Sequence, residues 1–120
     1  MKLRPAYRVV TFLPVGRKFI TPADFLEGIN EAVPLTYGNY DMVAYMGQGQ
    51  GTYRPLPGAK PAHGKIGKVS TLETLRVEFS IPKSAIALAA CLKKLRALHP
   101  WEEPGIQVYL VQDVLASAKK

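Results

Sequence analysis

One cysteine, two histidines and one tryptophan stand among 120 residues, and each scarcity closes off some chemistry. The single thiol, Cys91, leaves no internal disulfide to be made. It falls among alanines and leucines, where a small buried apolar residue is expected, and a reducing compartment fits. Two histidines, His63 and His99, are too few for a complete zinc or copper site within one subunit, since such sites want three or four ligands. No window approaches the apolar length of a membrane span. The opening MKLRPAYRVV runs straight into a strand-like pattern without the apolar core and cleavage site of a signal peptide. The cytoplasm is the expected location, with no membrane partner.

Nucleotide fingerprints are missing as well. Around Gly64-Lys65 a Walker A loop would need a glycine at Ala59 and a hydroxyl at Ile66. Gly47 and Gly49 lack the third glycine of a dinucleotide loop, and no helix follows them. No serine or cysteine nucleophile has a base at a recognisable spacing. The basic residues Lys60, Lys65, Lys68, Lys93, Lys94, Arg96, Lys119 and Lys120 are scattered, without an arginine-rich block, so nucleic acid is not an expected partner. Their excess is still real. Sixteen Lys and Arg against nine Asp and Glu give a net charge of +7, which suits anionic ligands or simple solubility.

What is present reads as one folded domain over residues 1–120, with a hydrophobic fraction of 48% and a charged fraction of 21%, near globular averages. The chain carries an internal echo. RVVTFLP at 8–14 and RVEFSIP at 76–82 share Arg, Val and Pro at the same spacing, and each precedes a helix-like and then a strand-like stretch. Thr21-Pro22-Ala23-Asp24 supplies an N-cap, a first-turn proline and an acidic residue. Phe25, Leu26, Ile29, Ala32 and Val33 then recur at helical spacing until Pro34. A second strand is expected over Asp41 to Met46, a third around Leu75 to Ile81, and a fourth over Ile106 to Val111. The second helix is expected from about Ser84 to His99, with Ala85, Leu88, Leu92, Leu95 and Leu98 on one side. The order βαββαβ implies an α+β, ferredoxin-like sandwich, an antiparallel sheet with both helices on one face. Val9 and Leu13 point to one side of the first strand, Val10 and Phe12 to the other. The helix-free face is therefore expected to be apolar too, and covered by a second subunit.

Two stretches carry the candidate sites. Residues 47–70, GQGQGTYRPLPGAKPAHGKIGKVS, read as a long loop between strands two and three. Its glycines would let backbone N–H groups approach an anion, with Arg54, Lys60, Lys65 and Lys68 supplying charge. The alternative is a solvated hairpin extension. LHPWEEPG at 98–105 is the corner between the second helix and the last strand. Pro100 stops the helix at His99, whose ring can cap free carbonyls at the negative helix end, and Trp101 has the bulk to anchor the corner. Read functionally, His99, Glu102 and Glu103 become metal ligands with His63, in a site shared between subunits and holding a divalent ion. Glu102 and Glu103 as an acid/base pair are disfavoured because neighbours in an extended segment point in opposite directions.

YGNYD at 37–41, GQGTYRPLPGAKPAHGKIGKV at 49–69, RVEFSIP at 76–82 and ALHPWEEPGIQVY at 97–109 together resemble the YqfO-like domain of the NGG-interacting-factor-three family. The resemblance spans about Tyr7 to Asp113, with Trp101 where the family usually has tyrosine. It implies a PII-like or CutA-like fold, usually trimeric. Larger members carry a dinuclear metal centre in a separate core domain, for which this length has no room, so their hydrolase activity is not expected here. Position by position, His99, Glu102 and Glu103 match the motif as candidates for metal or intersubunit polar contacts. Gly49, Gly51, Arg54, Gly58, Gly64 and Gly67 match it for loop geometry or ligand approach. The leading expectation is a non-enzymatic, trimeric binding module sensing a small anion, nucleotide or metal at subunit clefts through Gly49, Gly51, Arg54, Gly58, Lys65, Gly67 and Lys68. A protein-interaction module without a small ligand, and a metal-dependent hydrolase of the cyclohydrolase type, stand as alternatives.

Overall fold

The computed structural model describes residues 1–116; Lys119 and Lys120 lie outside the described residues. The elements follow in the order β1 (Lys2–Pro14), α1 (Pro22–Ala32), β2 (Tyr45–Tyr53), β3 (Ser70–Pro82), α2 (Ala85–Leu98) and β4 (Ile106–Leu115). The strands form one sheet in the order β2-β3-β1-β4, and every neighbouring pair is antiparallel. This is the ferredoxin-like arrangement. The two echoed segments lie side by side at its centre, with Arg8 opposite Ser80 and Arg76 opposite Phe12.

Local signals place both helices. The Thr21 hydroxyl accepts from the Asp24 N–H at 3.1 Å and Pro22 occupies the first turn, which satisfies one free donor and presets φ. Ser84 caps α2 in the same way through the Ala87 N–H. Phe25, Leu26 and Ile29 of α1 and Cys91 and Leu95 of α2 close on Val9, Leu13, Val77, Phe79 and Ile81 of the sheet. On α2 the buried line runs through Cys91 and Leu95, while Ala85 is exposed and Leu92 half-buried. The packed face is thus rotated towards Ala87, Leu88, Ala90 and Leu98. Burial pushes the Cys91 thiol up to about 11, so it remains protonated and packs as a small hydrophobe.

Two sequence expectations need correction. The second strand does not run over Asp41 to Met46. Met42 has φ 55°, which breaks an extended run, and the Val43 N–H returns to the Leu35 carbonyl. Pairing begins at Tyr45 and continues to Tyr53 opposite Ser70, so the first part of the expected 47–70 loop is strand. Glycine-rich Gly47-Gln48-Gly49-Gln50-Gly51 has little intrinsic preference for a strand; the backbone ladder with β3 holds it there. Beyond Pro14, where β1 stops pairing with β3, β2 and β3 continue as a two-stranded arm that contributes to extents of 59 × 26 × 21 Å.

The helix-free face is less apolar than expected. Arg4 pairs with Asp113 at 2.6 Å, Arg8 with Glu78 at 3.1 Å and Arg76 with Glu78 at 2.8 Å. Ser80 links the pairs, accepting from Arg8 and donating to Asp113. Contact with the Arg76 and then the Arg8 guanidinium holds the Glu78 carboxyl below its usual value, against the opposing effect of burial. Ala6 and Val10, which share this face, are already fully buried within one chain. Exposed aliphatic side chains also stand on the helix side of edge strand β4, at Val108, Leu110 and Val114.

Candidate functional site

The corner after α2 forms because Pro100 cannot extend the helix and forces the residue before it into extended backbone. His99 obeys, with φ −74° and ψ 133°, and its own N–H still closes the last helical turn on Leu95. Its ring does not cap the helix end. It turns into the molecule, where Nε2 donates to the Phe12 carbonyl at 2.5 Å and Nδ1 accepts from the Trp101 N–H at 3.1 Å. This pattern fixes the neutral tautomer with the proton on Nε2. Burial lowers the pKa of His99, and the bond to Phe12 opposes the shift only in part. Next to it the Thr11 hydroxyl donates to the Gly105 carbonyl at 2.8 Å. The corner is therefore fastened to the end of β1 at two successive residues.

Trp101, so held, lies 5.1 Å from the His99 ring and 6.4 Å from the Tyr53 ring, tilted to both. Tyr53 ends β2 and donates its hydroxyl to the His63 carbonyl, which draws the loop over 54–69 back toward the sheet. Gly64 follows at φ +95°, and a Cβ there would sit 2.6 Å from the Ser70 hydroxyl; the loop can pass at that point only without a side chain. A second clasp comes from Glu102, whose Oε1 accepts from the Lys60 N–H at 2.9 Å.

Loop, arm and corner together enclose a cavity of about 490 Å³, within the range of small-molecule sites. Its wall is mainly apolar, built from Phe12, Tyr53, Pro61, Ala62, Leu72 and Trp101, with His63, Glu102 and Glu103 as its ionisable groups. Of the residues expected from sequence to bind a ligand, Gly51 lines this cavity and Gly49 lines a shallower depression beside it, near Tyr45 and Arg76. Arg54, Lys65 and Lys68 are exposed and line neither. Gly58 and Gly67 turn the loop at positive φ and also lie outside both linings. The expected four-residue metal set comes apart. His63, Glu102 and Glu103 share the cavity, but His99 has spent both ring nitrogens inside the chain. Among the described residues no group of three His, Cys, Asp or Glu could hold a metal ion. Phe12, Tyr53 and Leu72 were not legible as site residues, because their positions in the chain say nothing of the common hollow they border.

No protein-family model matches the chain. A Bacillus subtilis protein named "GTP cyclohydrolase 1 type 2 homolog" is 33% identical over 79 residues, covering 66% of this chain and 21% of that protein. A protein of the same name from Halalkalibacterium halodurans is 30% identical over 106 residues, covering 86% and 26%. The crystal structure of a Bacillus cereus protein related to NIF3 superposes with a TM-score of 0.71 at 25% identity, over 92% of this chain and 27% of that one. The chain is a NIF3/YqfO-like domain. The domain spans about a fifth to a quarter of the length of these relatives. Within it the loop and the HPWEEP corner that carried the resemblance are the parts that meet around the cavity, and among the described residues no helix is long and apolar enough to cross a membrane.

Proposed function

We propose that this domain is a non-enzymatic, self-associating binding module, working in the cytoplasm, whose ligand site is the cavity between the central loop and the corner. One observation carries the reading: stretches some 40 residues apart in sequence, joined by the bond from the Lys60 N–H to Glu102, close on a hollow with aromatic walls. Buried apolar surface provides affinity in such a site and a few polar groups provide orientation. A ligand would stabilise the folded chain by mass action. In a thermal-shift panel of small aromatic and aliphatic amines, alcohols, carboxylates and nucleotides, at least one class is expected to raise Tm. The rise should disappear in Ala62→Phe, which fills the hollow. No response across the panel, with the variant folded, would sink the reading.

Self-association is drawn from the resemblance, which implies a trimer, and from edge strand β4. Among the described residues no further strand pairs with its outer edge, although the Val114 carbonyl accepts from the Tyr37 hydroxyl, and on its helix side Leu110 is 68% exposed beside Val108 and Val114, with Leu3 across the ladder. A long exposed apolar edge of this kind favours pairing with another chain. Leu110→Lys is expected to shift sedimentation from an assembly to single chains without lowering the intrinsic stability of the fold. A wild-type chain that sediments alone at every concentration tested would count against the assembly.

A second reading, docking of the loop onto a partner protein, is supported by the exposure of Leu56, Ile66 and Val69. In that case the thermal-shift panel would stay silent, and shortening the loop would abolish partner capture.

A further inference from the structure

Charge is distributed against the average of the chain at this cavity. The protein carries 16 Lys and Arg against 9 Asp and Glu, yet among the described residues Glu102 and Glu103 are the charged side chains in a lining that contains no lysine or arginine. Lys60, nearest in the loop, meets Glu102 through its backbone N–H. Glu103 has Arg96 at 3.9 Å, a loose pair that leaves the Glu103 side chain 82% exposed. The same lining holds Tyr53 and Trp101, their ring planes inclined at 46°, with Phe12 also in the wall. Aromatic faces attract cations through the ring quadrupole, most strongly for tryptophan, and carboxylates at the mouth add a field of the same sense. A small anion, by contrast, would have to pass two like charges and shed its water against apolar walls.

Resting on the cavity reading above, we infer that its ligand is a compact organic cation, an ammonium or guanidinium group on an apolar or aryl body. The body fills the space against Phe12, Leu72 and Trp101, and the cationic head sits toward Glu102 and Glu103. The anion expected from the basic loop is thereby displaced as the occupant of this hollow. The corner is suited to the task because Trp101 is fixed from behind by His99 and Glu102 already holds the loop closed, so little ordering remains to be done on binding.

The protein contains one tryptophan, and it lines the cavity, so intrinsic fluorescence reports on the site directly. Three soluble probes of similar size separate the outcomes: 2-phenylethylammonium, 2-phenylethanol and 3-phenylpropionate. The ammonium is expected to bind about tenfold more tightly than the alcohol, with the carboxylate weakest, and added salt should narrow the spread. In the double variant Glu102→Gln, Glu103→Gln, the amide oxygen introduced at position 102 can still accept from the Lys60 N–H, so the hollow is retained. There the preference for the ammonium over the alcohol should fall to about twofold. Equal binding of all three probes, or a cation preference that survives in the double variant, would overturn the inference while leaving the cavity as a binding site. No saturable change with any probe, together with a silent thermal-shift panel, would overturn both.

Discussion

His99→Phe, which keeps a flat aromatic ring at the corner but removes both ring nitrogens, is expected to destabilise the fold by about 2–4 kcal/mol. The reason is that the substitution abandons two buried groups at once, the Phe12 carbonyl and the Trp101 N–H, each costing roughly 1–3 kcal/mol when left without a partner. Urea titration would read the loss as a lower midpoint at constant slope. The same residue sets an acid limit. His99 is neutral in the fold, and its pKa lies below the ordinary 6.5 because burial penalises the charged ring. The unfolded chain therefore binds a proton that the folded chain refuses. Stability is fully present above about pH 6.5 and declines as the pH falls from there toward the folded-state pKa, with a slope that cannot exceed about 1.4 kcal/mol per pH unit. Protonation of Nδ1 would also turn the acceptor for the Trp101 N–H into a donor, so the corner is the part that loosens. In His99→Phe this part of the pH dependence should vanish. Superimposable pH profiles of the two proteins, offset by a constant, would show that His99 is not its source. Glu78 acts in a separate window: its carboxyl is held below 4.5 by Arg76 and Arg8, so its contribution is present above that pH and is lost on further acidification.

Phe79→Ala should be costlier still. Phe79 is fully buried, sits opposite Val9 at the centre of the sheet and belongs to the core onto which both helices close. Truncating a phenylalanine in such a place costs about 3–5 kcal/mol through lost transfer energy and the void left behind. At roughly 4 °C per kcal/mol for a domain of this size, Tm should fall by about 12–20 °C. A loss below about 1.5 kcal/mol would mean that the core refills the space, and would contradict the close packing inferred between the helix layer and β1 and β3.

Much of the scaffold was legible because the signals behind it are local. The Thr21 and Ser84 hydroxyls each needed only the N–H three residues on, and Pro34 and Pro100 terminate helices whatever surrounds them. Alternation at Val77, Phe79 and Ile81 marked a strand with one buried face. The errors arose where a residue's role depends on what lies across from it. Gly47 to Gly51 looked like loop because nothing in a Gly-Gln alternation favours a strand, and β3 supplied the reason from outside. Val10 looked like an apolar surface residue seeking a partner, yet it is buried within its own chain on the face spanned by the pairs Arg8–Glu78 and Arg76–Glu78.

The site divides along the same line. His99, Glu102, Glu103 and the loop stood out from sequence through composition and spacing, and three of the four expected metal ligands do border one cavity. The role of His99 could not be seen, since the groups that occupy its ring are the backbone carbonyl of Phe12, 87 residues away, and the N–H of Trp101. The lysines drew attention for their charge, but charged side chains on a turning loop extend into water, and the wall was built by Tyr53, Phe12 and Trp101 instead.

By itself the order of residues determined the duplicated βαβ plan, the helix ends and the apolar faces, because hydrogen-bond caps, proline sterics and side-chain periodicity act within a few residues. Only the tertiary structure decided that a loop and a corner meet, that the ring of His99 is neutral and enclosed, and that a basic protein has an acidic-mouthed aromatic hollow. Those properties come from groups brought within a few ångströms of each other by the sheet, and burial and charge take their values from that proximity.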